Sequence, residues 1–165
     1  MPDTVLLEID DSVATMTLNR PDSLNAIDHV LAKDLREAAL EAEMNSQVRC
    51  LVVRGSGPAF MAGGDIRAFK ERVGKDLDRY MIDVTHDLHD AIMAFRRMPK
   101  PVVASVHGAA AGAGFSLAMS CDMVIATEDA VFTLAYSVIG ASPDGSSTYS
   151  LPRLIGYHRA MELML

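Results

Sequence analysis

Tryptophan is absent from this sequence, and cysteine occurs only twice. Cys50 and Cys121 stand far apart in apolar surroundings, without the close spacing of a metal-ligand pair. We therefore expect two buried, reduced thiols, and neither a disulfide framework nor a metal site. The first residues, Met-Pro-Asp-Thr, lack the basic and then apolar pattern of a secretory signal, so the cytoplasm is the expected location.

Basic residues are fewer than acidic ones. The sequence has 15 Lys and Arg and 22 Asp and Glu, and its formal net charge is −7. Such a chain lacks the basic face of a nonspecific nucleic-acid-binding protein, so no nucleic-acid partner is expected. Any phosphate-bearing ligand would need local Arg or Lys side chains. With 165 residues, 50% of them hydrophobic, the chain is long enough for one globular domain with a sizeable core.

The longest uncharged stretch, residues 101–121, is mostly Ala, Gly and Ser, with one Pro and one His. That composition disfavours a membrane span, despite the G-x-x-x-G at Gly108 and Gly112, and no membrane partner is expected. A dinucleotide loop would need a third glycine where Leu117 stands, and a P-loop would need Lys-Ser or Lys-Thr. Two interpretations remain open. The backbone N–H groups form an oxyanion hole for a carbonyl, or small residues let a helix pack tightly on a sheet.

Apolar periodicity predicts an α/β fold. Residues 5–9 and 13–18 are strand-like runs around Asp10-Asp11-Ser12, which is a hairpin signal. A helix capped by Asp28 and a buried strand at residues 50–53 follow, as in a right-handed βαβ unit. A second strong helix carries an apolar stripe formed by Met81, Val84, Leu88, Ile92 and Phe95.

The expected sheet has parallel strands around Val52, Val103 and Val124, with the glycine loops at Gly63 and Gly112 at the same end. Residues 69–75 are charged and contain Gly74, so we expect them to be mobile. The sequence S-P-D-G at 142–145 predicts a turn, or a helix start capped by Ser142. The last helix is expected from about Leu154.

Several motifs follow one another along the chain. They are N-R-P at 19–21, N-A at 25–26, A-G-G-D-I at 62–66, G-A-G at 112–114, C-D at 121–122, S-P-D-G at 142–145 and L-P-R-L-I-G at 151–156. With this set the sequence resembles the enoyl-CoA hydratase/isomerase (crotonase) superfamily over nearly its whole length. The resemblance implies an α/β, crotonase-like ββα spiral of mostly parallel sheet flanked by helices. It also implies that residues 1–165 are one acyl-CoA-binding core lacking the family's C-terminal helices, assembled as a homotrimer or hexamer.

The same resemblance implies an oxyanion hole. By position, its two donors are the backbone N–H groups of Gly64 and Ala113, and Ala113 can serve only if its φ stays negative. Coenzyme A enters as the thioester of the substrate, and no prosthetic group is expected. The residues implied to bind coenzyme A are Leu24, Ala26, Ala62, Gly64, Asp65 and Ile66.

The resemblance also narrows the chemistry. Hydratases of the family carry two glutamates at positions where this chain has Ser116 and Tyr136, so addition of water to an enoyl thioester is disfavoured. Asp144, Tyr136 and His89 match functional positions of other branches. Isomerases resembling the 1,2-epoxyphenylacetyl-CoA isomerase use an aspartate of this loop as acid and base. The S-P-D-G context favours that assignment, with Asp144 in the role.

Two alternatives stay open beside isomerisation. In hydrolysis of the 4-chlorobenzoyl-CoA dehalogenase kind, Asp144 would be the nucleophile, His89 would activate water, and Tyr136 would replace the tryptophan that orients the aspartate. A catalytically inactive fragment is the other alternative. His86 and His89 have the spacing of a metal pair, but no further ligand completes it and we expect no metal. No motif identifies the acyl group.

Overall fold

The computed structural model describes residues 4–165. Within these residues the strands are β1 (Val5–Asp10), β2 (Val13–Leu18), β3 (Cys50–Gly55), β4 (Val102–Val106), β5 (Ala109–Ala111), β6 (Met123–Ala126) and β7 (Val131–Thr133). The α-helices are α1 (His29–Met44), α2 (Ile66–Arg72), α3 (Leu77–Arg97), α4 (Ala113–Ser120), α5 (Ser147–Ile155) and α6 (Tyr157–Met164). Short 3-10 turns cover Pro21–Ser23 and Ser137–Ile139.

The main sheet has the strand order β1-β2-β3-β4-β6 and is mostly parallel. β1 and β2 form the predicted antiparallel hairpin, and its turn holds Asp11 and Ser12 at positive φ. The pairs β2–β3, β3–β4 and β4–β6 are parallel, with Val52 opposite Val103 and Ala104 opposite Val124. Helices α1, α3 and α4 each lie in a connection between two of these strands. The predicted α/β class and the expected parallel strands are confirmed.

Helices α1 and α3 build most of the hydrophobic core together with β2, β3 and β4. Their buried positions recur every three or four residues, as the sequence pattern predicts, and they form one contiguous apolar cluster. Four of the buried residues of α1 are alanines, which lets α3 pack closely beside it. An ion pair of 2.9 Å between Arg36 and Asp87 joins the two helices.

A second, smaller sheet brings both glycine loops to one end of the fold. β5 pairs in parallel with β7, Met61 bridges to Ala110, and Gly64 bridges to Ile27. The segments after β3 and after β4 therefore run side by side, as predicted. β5 lies directly before the glycine loop at Gly112 and is not predicted as a strand, because three alanines in a row carry no apolar alternation.

Three local features differ from the sequence predictions. Residues 66–72 form α2, whose N-terminus is capped by the Asp65 side chain, where no helix is predicted. The S-P-D-G segment is a loop, and since α5 begins at Ser147, Ser142 is not its cap. In place of one final helix from Leu154 there are two, α5 and α6, separated at Gly156 with φ +84°.

One side of the molecule is apolar and uncovered. β6 is an edge strand of the main sheet, and all four of its residues are exposed. Beside it lies a groove of about 390 Å³, here called the β6 groove, whose apolar lining includes Phe115, Met119, Val124, Leu154 and Leu163. No helix within residues 4–165 is long and apolar enough to cross a membrane.

Asn25 ties the loop after β2 to the loop after β3. Its side chain is fully buried, and Nδ2 lies 2.9 Å from the carbonyl oxygens of Ser56 and Ala59 and 3.1 Å from that of Phe60. Oδ1 accepts a hydrogen bond from the Arg20 backbone N–H at 2.8 Å. The backbone of Asn25 has φ +56°, a conformation that asparagine tolerates better than most residues.

Replacing Asn25 by alanine should lower the free energy of unfolding by about 3 kcal/mol, because buried hydrogen-bond partners lose their bonds and alanine disfavours positive φ. Urea denaturation measures the change. The matched control is Asn45→Ala, which removes a single exposed bond to the Gln47 N–H and should cost less than about 1 kcal/mol. Equal stabilities of the two variants would contradict the prediction.

Candidate active site

A cavity of about 330 Å³ lies at the end of the fold where the two glycine loops meet. Its walls come from α2, α3, the loop before α4 and the segment after β7. Among the residues described, Asp144 is the only carboxylate on the lining. Most of the remaining lining side chains are apolar, including Ile27, Ile66, Phe69, Met81, Val84, Leu88, Leu134 and Ile139.

Two of the backbone N–H groups at this cavity that donate no hydrogen bond within residues 4–165 have a position expected from the sequence. They belong to Gly64 and Ala113, the two donors expected from the sequence. Ile27 bonds to both neighbours of Gly64, accepting from the Asp65 N–H at 2.9 Å and donating to the Gly63 carbonyl at 2.7 Å. In such a parallel bridge the N–H of the central residue points away from the partner segment, which leaves the Gly64 N–H available.

Ala113 is the first residue of α4, so its N–H has no intrahelical acceptor. Its φ is negative, since it is not among the residues with positive φ, and the condition set for a donor at this position is met. Every residue of α4 is buried. The positive end of a buried helix dipole therefore adds to the N–H group of Ala113 in favouring negative charge nearby.

Gly63 and Gly112, which precede the two donors, allow the two loops to touch. Both have positive φ, +94° and +49°. A Cβ atom on Gly63 would lie 3.0 Å from the Ala111 carbonyl oxygen and 3.6 Å from the Gly112 Cα. A side chain on Gly63 would press against the second loop, and at Gly112 the positive φ disfavours any residue with a side chain.

The Asp144 carboxylate is held by a tyrosine. The Tyr136 hydroxyl donates to Oδ1 over 2.6 Å, whereas Oδ2 makes no hydrogen bond or ion pair within residues 4–165. Ser116 Oγ donates to the Asp144 carbonyl oxygen at 3.1 Å, and Ser147 Oγ donates to the same oxygen at 2.7 Å. Ser116 and Tyr136, where the resemblance implies glutamates in hydratases, thus both contact Asp144.

Tyr136 keeps its proton in this setting. Burial raises the pKa of the Tyr136 hydroxyl well above its ordinary value, and the charge of Asp144 and the hydrogen bond to it act in the same direction. The hydroxyl therefore remains a donor to Asp144 Oδ1 throughout the physiological pH range. Only the other carboxylate oxygen is left for a ligand in the cavity.

A second cavity, of about 520 Å³, adjoins the first. Ala62, Gly64 and Ile66 line both cavities, so Gly64 lies where they meet. The structure brings all six residues expected to bind coenzyme A to this second cavity: Leu24, Ala26, Ala62, Gly64, Asp65 and Ile66. Two cations, Arg20 and Arg67, also line it.

His89 is not brought to the site. The histidine lies on α3 and is exposed. The residues of α3 that line the first cavity are Met81, Val84, Thr85 and Leu88, and His89 is not among them. His89 follows Leu88 directly and so points about 100° away from it around the helix. Among the site residues predicted from the sequence, Gly64, Ala113, Tyr136 and Asp144 come together at the first cavity and His89 does not.

Sequence reasoning missed two contributions to the site. From the sequence, Ser116 stands out only as the replacement of an expected glutamate, yet its hydroxyl donates to the Asp144 carbonyl oxygen. Phe69 belongs to the segment predicted to be mobile, yet its ring lines the cavity and lies against Gly64. An apolar residue four positions after the acidic cap Asp65 is a signal that could have indicated α2.

Among the described residues, no histidine or cysteine side chain lines either cavity. No cluster of three or more His, Cys, Asp or Glu side chains among the described residues could hold a metal ion. Cys50 and Cys121 are both free thiols, and Cys121 is buried as predicted while Cys50 is only partly so. Burial, followed by the charge of Asp122, raises the pKa of the Cys121 thiol to about 12.

Comparison with known proteins gives consistent matches. The sequence profile of the family described as enoyl-CoA hydratase/isomerase matches residues 8–165. The chain is 37% identical over 166 residues to the 1,2-epoxyphenylacetyl-CoA isomerase of Escherichia coli, covering 100% of this chain and 63% of that protein. It is 32% identical over 161 residues to 4-chlorobenzoyl coenzyme A dehalogenase-1 of an Arthrobacter species, covering 98% and 58%.

Solved structures agree with these matches. The crystal structure of an enoyl-CoA hydratase from a Polaromonas species superposes with a TM-score of 0.90 at 37% identity, covering 97% of this chain and 62% of that one. The fold is therefore crotonase-like, as predicted. The chain spans about three fifths of the length of the proteins it matches.

The pair formed by Tyr136 and Asp144 can be tested by titration. Asn in place of Asp144 should lower the pKa of Tyr136 but leave it raised, because the charge and the acceptor disappear while burial persists. Tyrosinate absorbance against pH measures this, and Tyr136→Phe identifies the transition. Folding raises the pKa of Tyr136, so the protonated hydroxyl contributes its full stabilisation below about pH 10. This contribution is lost as the pH rises through the pKa of Tyr136 in the folded protein. An unchanged transition in Asp144→Asn would contradict the pairing.

Proposed function

This chain belongs to the enoyl-CoA hydratase/isomerase family, and we propose that it isomerises an acyl-CoA with Asp144 as acid and base. One observation carries the proposal. Asp144 is the only carboxylate among the described residues that line the first cavity, and it lies there with the two free N–H groups of Gly64 and Ala113. Such a site can bind a thioester carbonyl through the two N–H groups and can transfer a proton through Asp144.

The thioester oxygen would accept hydrogen bonds from Gly64 and Ala113. When a proton leaves the carbon beside the carbonyl, negative charge moves onto this oxygen, and two aimed N–H groups stabilise it where it develops. The N-terminus of α4 supports the same charge. Since Gly64 lies at the junction of the cavities, the acyl group extends into the first cavity and the coenzyme A portion into the second.

Asp144 would then move one proton. Its Oδ2 takes a proton from one carbon of the acyl group and returns it to another, so the product has the same composition as the substrate. The bond from Tyr136 to Oδ1 keeps the carboxylate oriented during both transfers. Hydration would need a second acid or base, and the positions that carry one in hydratases hold Ser116 and Tyr136.

Coenzyme A as the substrate carrier is supported by the second cavity. Arg67 lines it and forms no ion pair or hydrogen bond within the described residues, so its guanidinium remains available for a phosphate. Arg20 is already engaged by Asp28 and Asp65. The first cavity carries no cation in the described part of the chain, which favours an uncharged, largely apolar acyl group.

Hydrolytic dehalogenation is the less favoured alternative. It would use Asp144 as a nucleophile and would need His89 to activate water. The exposure of His89 and its position outside the cavity lining argue against that role. We also propose a cytoplasmic location, since two free thiols are in keeping with a reducing compartment.

Asp144→Asn should abolish isomerisation, with a loss of at least about 1,000-fold in kcat, because the amide cannot accept the proton. Binding of acyl-CoA should persist, because it relies on the backbone and on residues 62–66. Turnover of a panel of enoyl and aromatic thioesters, together with titration calorimetry, measures both quantities. Undiminished turnover by a folded Asp144→Asn protein would contradict the role of Asp144.

His89→Gln is the paired control. An isomerase forms no covalent intermediate with Asp144, so this variant should keep its activity and its unmodified mass after mixing with aromatic thioesters. A dehalogenase that lost its water-activating histidine would instead accumulate an aryl ester on Asp144. Intact-protein mass spectrometry distinguishes the two, and an added aryl mass would overturn the isomerase assignment.

Assembly as a homotrimer or hexamer is part of the proposal and is supported by the apolar β6 groove and the exposed edge strand beside it. Size-exclusion chromatography with light scattering should give one discrete species across a range of concentrations. Aggregates that grow with concentration would favour the catalytically inactive alternative. Lysine in place of Val124, on the groove lining, should shift the protein toward the monomer.

A further inference from the structure

The guanidinium of Arg20 lies between three oxygen atoms at the edge of the second cavity. Nη2 is 3.1 Å from a carboxylate oxygen of Asp28 and 3.1 Å from one of Asp65. Nη1 donates to the carbonyl oxygen of Ala26. The three side chains are each less than a quarter exposed, so water screens their charges only in part.

Both carboxylates have a second partner. Asp28 accepts from the Leu31 N–H at 2.9 Å and caps α1, and Asp65 accepts from the Ala68 N–H at 3.2 Å and caps α2. Arg20 therefore connects the N-cap residues of two helices that belong to different parts of the chain. The Arg20 backbone is itself held, because its N–H donates to Asn25 Oδ1.

Gly64 lies inside this arrangement. The residue after it, Asp65, is bound through its side chain to Arg20 and through its N–H to Ile27. The residue before it, Gly63, accepts from the Ile27 N–H. The direction of the free Gly64 N–H thus depends on the separation between residues 26–28 and residues 63–65, and Arg20 contacts both segments.

We propose that Arg20 is a positioning residue that aims the Gly64 N–H at the thioester oxygen, an inference that rests on the proposed function. Arg20 does not touch the reacting atoms and acts through Asp65. In a variant that lacks the Arg20 guanidinium, the carboxylates of Asp28 and Asp65 no longer share a positively charged partner and repel each other. Their repulsion moves residues 63–65 away from residues 26–28 and turns the oxyanion donor out of position.

The test uses Arg20→Gln in the Asp144→Asn background, where the substrate is not consumed. Cinnamoyl-CoA with a 13C-labelled carbonyl is bound to saturation, and its C=O stretch is measured by infrared difference spectroscopy. The parent should lower the frequency because two N–H groups polarise the carbonyl, and Arg20→Gln should lose about half of this shift as one of two donors is misplaced. With Asp144 present, Arg20→Gln should reduce kcat about 100-fold.

Two further variants separate positioning from general destabilisation. Asp65→Asn added to Arg20→Gln should restore part of the shift and of kcat, because the amide still caps α2 and the repulsion is gone. Arg36→Gln removes a comparable, partly buried ion pair elsewhere, with Asp87, and should leave both readouts unchanged. An unaltered carbonyl frequency and kcat in folded Arg20→Gln would overturn the proposal.

A ligand-free measurement keeps this test separate from the proposed function. The 15N–1H resonance of Gly64 should move in Arg20→Gln and stay in place in Arg36→Gln. A Gly64 resonance that does not respond to Arg20→Gln would overturn the positioning role, whether or not acyl-CoA binds. Failure of cinnamoyl-CoA to bind the Asp144→Asn protein, with a responding Gly64 resonance, would count against the proposed function and support the positioning role.

Discussion

The close contact between two backbone segments, at Gly63–Gly64 and at Gly112–Ala113, is the constraint on which the site depends. It places two N–H groups that have no acceptor within the described residues at one cavity. Glycine is favoured at Gly63, because a Cβ atom there would meet the backbone of the second loop, and at Gly112, because its φ is positive. The small sheet of β5 and β7, the bridges at Met61 and Gly64 and the parallel strands beneath them all serve to hold these two loops together.

Asp144 shows how one carboxylate can be held where relatives are expected to use two. Tyr136 and Ser116 occupy the positions implied for the glutamates, and each bonds to Asp144, one to the carboxylate and the other to the backbone. A raised pKa keeps the Tyr136 hydroxyl protonated, so its direction of donation is constant. Among the described residues, the cavity lining therefore has a single carboxylate, and one of its two oxygens is free to face a ligand.

Long, strongly periodic elements could be predicted from the sequence, whereas short ones could not. The apolar stripes of α1 and α3 and the valine-rich β3 and β4 carry their own pattern, since each buries one face in a shared core. β5 is three alanines and α2 is a seven-residue helix with no buried residue, so neither carries an apolar stripe or alternation. Their structure comes from partners distant in sequence, such as β7 for β5.

What the sequence by itself determined is the class of the fold and the position of two glycine loops, because glycines, helix caps and apolar periodicity act locally. That these loops carry oxyanion donors was implied only by the family resemblance. Only the tertiary structure decided which side chains meet. His89 and Leu88 are neighbours on α3, yet only Leu88 reaches the cavity, because the helix turns about 100° per residue. Arg20, Asp28 and Asp65 form one cluster only because the loop after β2 lies against the loop after β3, a contact between segments that no local pattern encodes.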